Sequence, residues 1–184
     1  MSTEGGAPSL EAWWQEITFG RRRGLVAGLV RAGLEPLAGL YWLGLQANHA
    51  VYRWGLKAQT QPVLPVVSVG NLTLGGTGKT TAVRYLTRRL ETAGVRVGIV
   101  LRGHGGEARG AAMLAHDGRT ASPAASLCGD EAAEYGRLLP HIPLAIGKRR
   151  ERALQLLATQ GVQVGLLDDG FQYFRMARRA DVVL

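Results

Sequence analysis

The chain has 184 residues, 46% of them hydrophobic and 20% charged, with a formal net charge of +8. This composition excludes a disordered, fibrous or low-complexity protein, and it suits an ordinary folded domain with anionic partners. The lone cysteine, Cys128, excludes an internal disulfide, and nothing points to an oxidising compartment.

Residues 1–10 read as a disordered lead, and the first twenty lack the basic start and apolar run of a signal peptide. Residues 11–60 read as an N-terminal helical segment, with the pattern running from about Glu11 to Lys57 and an interruption at Arg21–Gly24. Gln46, His49, Arg53 and Lys57 recur at spacings of three and four and gather on one helical face, while Leu40, Ala47, Val51 and Trp54 fall on the other side. All four tryptophans lie in this segment. The longest uncharged stretch, Pro36–Tyr52, falls short of the roughly 20 apolar residues that span a bilayer. The segment is therefore not expected to cross a bilayer.

Residues 61–184 have an α/β texture. "VLPVVSVG" (63–70) reads as a buried strand, residues 79–93 as a helix closed by Gly94, and "VRVGIVL" (95–101) as a second strand. A loose Gly/Ala region follows, then a helix over about 130–139. "IPLAI" (142–146), a helix over 149–159, "VQVGLL" (162–167) and the start of another strand at "DVVL" (181–184) continue the alternation. Strands alternating with helices predict a mostly parallel sheet flanked by helices.

Chemistry concentrates between these elements. "TLGGTGKT", comprising Thr73, Leu74, Gly75, Gly76, Thr77, Gly78, Lys79 and Thr80, departs from GxxxxGK[ST] only in its first glycine. It stands between a buried strand and a helix, as a phosphate-binding loop must. Gly75, Gly76 and Gly78 free the backbone to wrap an anion; Lys79 can reach the terminal phosphates and the Thr80 hydroxyl can hold Mg²⁺. A bare glycine turn would not require Lys-Thr at a helix start. "VGLLDDGFQ" places Asp168 and Asp169 at the carboxyl end of a strand, where an acidic residue supports Mg²⁺ in phosphate-loop enzymes; a simple Asp-Asp-Gly turn is the bland alternative. "CGDEAAEY" opens a helix with Asp130 and Glu131, either helix-capping acids or, for Asp130, a base for an acceptor hydroxyl. "LRGHGG" ends the second strand, where Arg102 and the glycines either approach an anionic ligand or simply form a turn. The charges of "GKRRER" (147–152) read mainly as a solvated face. His104, His116 and His141 are isolated and carry no expected metal role.

"VVSVGNLTLGGTGKT", "RGHGG", "GDE", the Arg150 region and "LDDGFQ", in that order, resemble the tetraacyldisaccharide 4'-kinase family, a lipid A kinase family. The resemblance implies a P-loop NTPase-like α/β domain preceded by a helical segment on the anionic inner leaflet, at the cytoplasmic face of the inner membrane. It implies ATP-dependent phosphorylation of the 4'-hydroxyl of a tetraacyldisaccharide 1-phosphate, with ATP and Mg²⁺ as cofactors and a lipid A precursor as the glycolipid partner. Lys79 would then contact the ATP phosphates, Thr80 would ligate Mg²⁺, and Asp168 and Asp169 would belong to the metal region. Asp130 would activate the sugar hydroxyl with Glu131 beside it, and Arg102 and Arg150 would be substrate or supporting residues. This chain departs from the family pattern at Thr81, Tyr173, His104 and Arg179. It is expected to correspond to the family's N-terminal portion, without the rest of this domain and the second, smaller α/β domain; the histidine partner of Asp130 would lie in that absent part.

Two other readings stand beside this one. Partitioning-type ATPases with a deviant phosphate loop also show GGxGKTT, but they carry a lysine where this chain has Leu74. A truncated, membrane-associated nucleotide binder without catalysis is the other. No aromatic-basic module or helix-turn-helix pattern supports nucleic-acid binding.

Overall fold

The computed structural model describes residues 16–17, 20, 24–72, 78–103, 112–120 and 124–184. The chain divides into two units, Met1–Leu56 and Lys57–Leu184.

In the first unit, helix α1 runs from Leu25 to Arg53, directly after Gly24, which sits at φ 140. Its 29 residues give a length of about 43 Å at 1.5 Å per residue. The helix passes through Pro36 without a break, although proline supplies no N–H to the helical ladder. Leu25, Leu29, Leu40, Leu43 and Trp54 fall at helical spacing on one side and are all exposed. Arg31, Glu35, Gln46, His49 and Arg53 fall on the opposite side. Among the described residues no helix is long and apolar enough to cross a membrane.

The second unit is built on one six-stranded sheet. In chain order its elements are β1 (Val66–Gly70), α2 (Lys79–Thr92), β2 (Val97–Leu101), β3 (Met113–His116), α3 (Ala125–Cys128), α4 (Asp130–Leu138), β4 (Leu144–Ile146), α5 (Arg150–Thr159), β5 (Val164–Asp168) and β6 (Ala180–Val183). The strand order is β3-β4-β2-β5-β1-β6. All neighbours are parallel except β3 and β4, which run antiparallel with an irregularity between Leu114 and His116.

Alternation along the strands sends side chains to two apolar layers. Val97, Ile99 and Leu101 of β2, Leu144 and Ile146 of β4, and Leu166 of β5 face a layer closed by Val83 of α2 and by Ala132 and Tyr135 of α4. Val100, Ala145 and Leu167 face the opposite layer, closed by Ala153, Leu154 and Leu157 of α5. Helices therefore cover both faces, as the continuous apolar runs of β2 and β5 require of a central parallel sheet. Leu154 is fully buried, so Leu154→Ala should lower stability by about 2–5 kcal/mol through lost transfer energy and the cavity left behind. Urea unfolding checks this directly.

The elements fall where the residue pattern puts them, with three differences. Strands expected from residues 63, 95, 142 and 162 begin at Val66, Val97, Leu144 and Val164; in two of these cases Pro65 or Pro143 precedes, and proline cannot donate to a ladder. α1 ends at Arg53 rather than Lys57. Part of the expected loose Gly/Ala region is the edge strand β3.

Candidate functional site

Because β1, β2, β4 and β5 are parallel, their carboxyl ends share one edge of the sheet, which is where ligands bind in open α/β folds. Gly70, Arg102, Gly147 and Asp168 mark these four ends. Thr73, Leu74, Gly75, Gly76 and Thr77, which lead from β1 toward α2, lie outside the described residues, as does His104.

The described part of that turn begins at Gly78, whose φ of 80 lies in the left-handed region that glycine adopts without steric cost. Gly78 is the N-cap of α2 and has no side chain to cap it, so the first-turn N–H groups stay open toward an anion. Lys79, the first helical residue, places its Nζ 3.0 Å from Asp169 Oδ1. The lysine is about a quarter exposed and the aspartate about half, so solvent screens much of the pair's attraction.

Asp169 itself has φ 52, the one non-glycine residue with positive φ among those described. Its place in the left-handed region turns the chain sharply at the end of β5. The turn is packed from below: a Cβ at Gly70 would come within 2.5 Å of Phe171 Cβ, so only glycine lets residue 171 cross β1 this closely. Arg178 holds it from the far side. Its Nη1 donates to the carbonyls of Gly170 at 2.9 Å, Phe171 at 3.3 Å and Tyr173 at 3.0 Å. Its Nε pairs with Asp181 at 3.0 Å, and its guanidinium lies over the Phe174 ring.

Asp168 differs from its neighbour in being buried. Its Oδ2 accepts a hydrogen bond of 2.7 Å from the Tyr135 hydroxyl, while Oδ1 is buried without a hydrogen-bond partner among the described residues. Burial pushes the Asp168 carboxyl above the usual range, opposed by the Tyr135 hydrogen bond and the Lys79 charge. Burial likewise raises the Tyr135 hydroxyl, helped by the Asp168 charge and opposed by a hydrogen bond from the Thr80 side chain. Thr80, Tyr135 and Asp168 thus converge at one point, next to the Lys79–Asp169 pair.

This donor set suits Mg²⁺. The ion is commonly held by one or two carboxylates plus substrate phosphates rather than by an all-protein cage. Among the described residues no group of three or more His, Cys, Asp or Glu forms such a cage. The bare Oδ1 of Asp168 is an oxygen that a cation would satisfy.

A cavity of about 260 Å³ opens beside Asp169, lined by Arg102, Lys148, Arg150, Asp169, Gln172 and Tyr173. Three of these six side chains are cationic. Arg150 is only 3% exposed, so the "GKRRER" stretch is not simply a solvated face. Its Nη1 donates to the Gly147 carbonyl at 3.1 Å, its Nε is buried without a partner, and its guanidinium stands 5.8 Å from the Tyr173 ring centroid. Burial, and then the nearby Arg102 charge, lower the Arg150 guanidinium from its ordinary value. The Tyr173 hydroxyl donates to Glu151 at 2.8 Å, and burial followed by Glu151 pushes it up to about 12.

The structure therefore brings together Lys79, Thr80, Asp168 and Asp169 around one point, with Arg102 and Arg150 in the adjoining cavity. Asp130 and Glu131 are exposed in the first turn of α4; they make none of the contacts just described, although Tyr135 on the same helix does. Tyr135, Lys148, Gln172 and Arg178 were not legible as site residues. For Tyr135 the available signal was its position on the apolar face of a helix next to an acidic start, since a buried tyrosine needs a partner for its hydroxyl.

The fold and this edge define an α/β protein with a mostly parallel sheet and a lysine–carboxylate site at its carboxyl edge. Residues 30–184 match the model of the tetraacyldisaccharide-1-P 4'-kinase family, and the chain belongs to that family. It is 38% identical to the tetraacyldisaccharide 4'-kinase of Geobacter sulfurreducens, over 96% of this chain and 50% of that protein. It is 36% identical to that of Pelobacter propionicus, over 96% and 49%. LpxK from Aquifex aeolicus, crystallised in complex with ATP, superposes with a TM-score of 0.75 at 30% identity, covering 84% of this chain and 48% of that one. The chain spans about half the length of the curated relatives it matches.

Proposed function

We propose that this chain is the nucleotide-binding portion of a kinase that phosphorylates the 4'-hydroxyl of a tetraacyldisaccharide 1-phosphate, using ATP and Mg²⁺. The observation that carries this reading is the Lys79–Asp169 pair beside the buried Asp168, whose second oxygen is bare. Family membership adds the acceptor class.

In this reading Thr73, Leu74, Gly75, Gly76, Thr77 and Gly78 wrap the ATP phosphates with their N–H groups, and Lys79 exchanges Asp169 for a phosphate oxygen. Thr80, Asp168 and Asp169 hold the cation, which when bound neutralises charge on the phosphates. Asp130 takes the proton of the 4'-hydroxyl as its oxygen attacks the γ-phosphorus and ADP leaves, with Glu131 beside it. Arg102, Lys148 and Arg150 offer the cationic cavity to an anionic group of the glycolipid. Helix α1 lays its exposed Leu25, Leu29, Leu40, Leu43 and Trp54 into the anionic inner leaflet on the cytoplasmic side, with Arg53 able to meet headgroups.

The test presents the chain with ATP, Mg²⁺ and the tetraacyldisaccharide 1-phosphate in mixed micelles. The expected product is a bisphosphorylated glycolipid, identified by mass. Release of phosphate to water with the glycolipid unchanged would overturn the kinase reading in favour of an ATPase.

A further inference from the structure

The Asp168 carboxylate is divided between two demands. One oxygen is tied inward by Tyr135 at 2.7 Å, and the other is buried with no hydrogen-bond partner among the described residues. Packing does not ask for either polar group. Tyr135 is 1% exposed among Ala132, Leu139 and Ile142, where a phenylalanine ring would fill the same space without a hydroxyl to satisfy. A buried hydroxyl and a buried carboxylate each cost stability unless bonded. Their bond offsets part of that cost, yet it leaves Oδ1 bare. What the arrangement does achieve is to fix the carboxylate's rotation with one oxygen reserved.

The bond also joins two elements far apart in sequence. Tyr135 lies on α4, whose first residue is Asp130, and Asp168 ends β5. Tyr135 therefore anchors the helix that carries the acceptor-side carboxylate to the carboxylate on the phosphate side.

We propose that Tyr135 is a positioning residue for the cation that accompanies the nucleotide: its hydroxyl locks Asp168 so that Oδ1 stays free for the ion, and it ties α4 to that carboxylate. It acts through Asp168 and touches neither nucleotide nor acceptor. This inference rests on the phosphate-site reading above.

The experiment measures ATP affinity of the 184-residue chain by calorimetry, with Mg²⁺ and with EDTA, alongside the thermal midpoint of the ligand-free protein. Tyr135→Phe should leave the EDTA affinity within about twofold and cut the magnesium-dependent gain roughly 10- to 100-fold, the range for groups that orient a metal ligand. In an Asp168→Asn background the same substitution should cost no further magnesium-dependent gain. A full magnesium gain in Tyr135→Phe overturns the inference. So does a variant that unfolds or loses affinity equally with and without magnesium, because that marks a purely structural role. A further loss in the Asp168→Asn background also overturns it, since Tyr135 would then act otherwise than through Asp168. If the parent chain itself shows no magnesium-dependent gain, the phosphate-site reading fails first, and this inference with it.

Discussion

Lys79→Ala is expected to weaken ATP binding roughly 10- to 150-fold, because hydrogen bonds to charged groups contribute about 1.5–3 kcal/mol and each 1.4 kcal/mol is a factor of ten. Folding stability should hardly change. Among the described residues Lys79 gives up an ion pair with Asp169, half exposed at 3.0 Å, and ion pairs of this kind are worth about 0–1 kcal/mol. The combination separates a ligand-binding lysine from a structural one. Calorimetric titration with ATP and a urea unfolding curve, run on the same preparation, check both halves. Unchanged ATP affinity in Lys79→Ala would remove the lysine from the site.

Asp168→Asn should move stability and ligand binding in opposite directions. The Asp168 carboxyl is raised above its usual range chiefly by burial, so the folded protein holds that proton more tightly than the unfolded chain does. A group of this kind favours the folded state below its unfolded pKa, and the benefit is lost as pH rises through the higher folded value. As pH rises, ionising this buried carboxyl in the ligand-free protein therefore works against folding. Asparagine removes the charge and still accepts from Tyr135. The thermal midpoint of the ligand-free variant should exceed that of the parent at pH 7, and the difference should shrink as pH falls into the carboxylate range. The magnesium-dependent gain in ATP affinity should fall in the same variant at least as far as in Tyr135→Phe, with Thr80 and Asp169 keeping a measurable remainder. A lower midpoint at pH 7 would show that the carboxylate serves folding rather than the cation.

The difference between what could and could not be read from the residues follows the range of the interactions. β1, β2 and β5 are continuous apolar runs bounded by turn residues, and such runs have few alternatives in a domain of this size. Gly-Lys-Thr after a strand and Asp-Asp-Gly after another announce their chemistry locally, because the spacing itself does the work. β3 was hidden. "MLAH" is short, and it is half-buried at three of its four positions; antiparallel pairing with β4, not its own pattern, makes it a strand. The Tyr135–Asp168 bond spans 33 positions, and the turn that Arg178 holds is fixed by three carbonyls. Nothing within a helix or a turn specifies which distant group will meet it. The burial of Arg150 was hidden for the same reason: a run of charged residues at a helix start reads as solvated until the fold places Tyr173 across it.

The strand order also bears on how the protein comes into being. β1 lies between β5 and β6, so both of its neighbours are made about a hundred residues after it. At roughly 5–20 residues per second, translation leaves Val66–Gly70 without a partner for about 5–20 seconds. During that interval the N–H and C=O groups along both edges of the nascent strand stay unpaired by their final partners. The sheet edge that carries Lys79 and Asp169 is therefore completed late in the synthesis of residues 57–184. In the reading proposed above, ATP binding should then arise abruptly after β6 has emerged from the exit tunnel, rather than growing gradually with chain length.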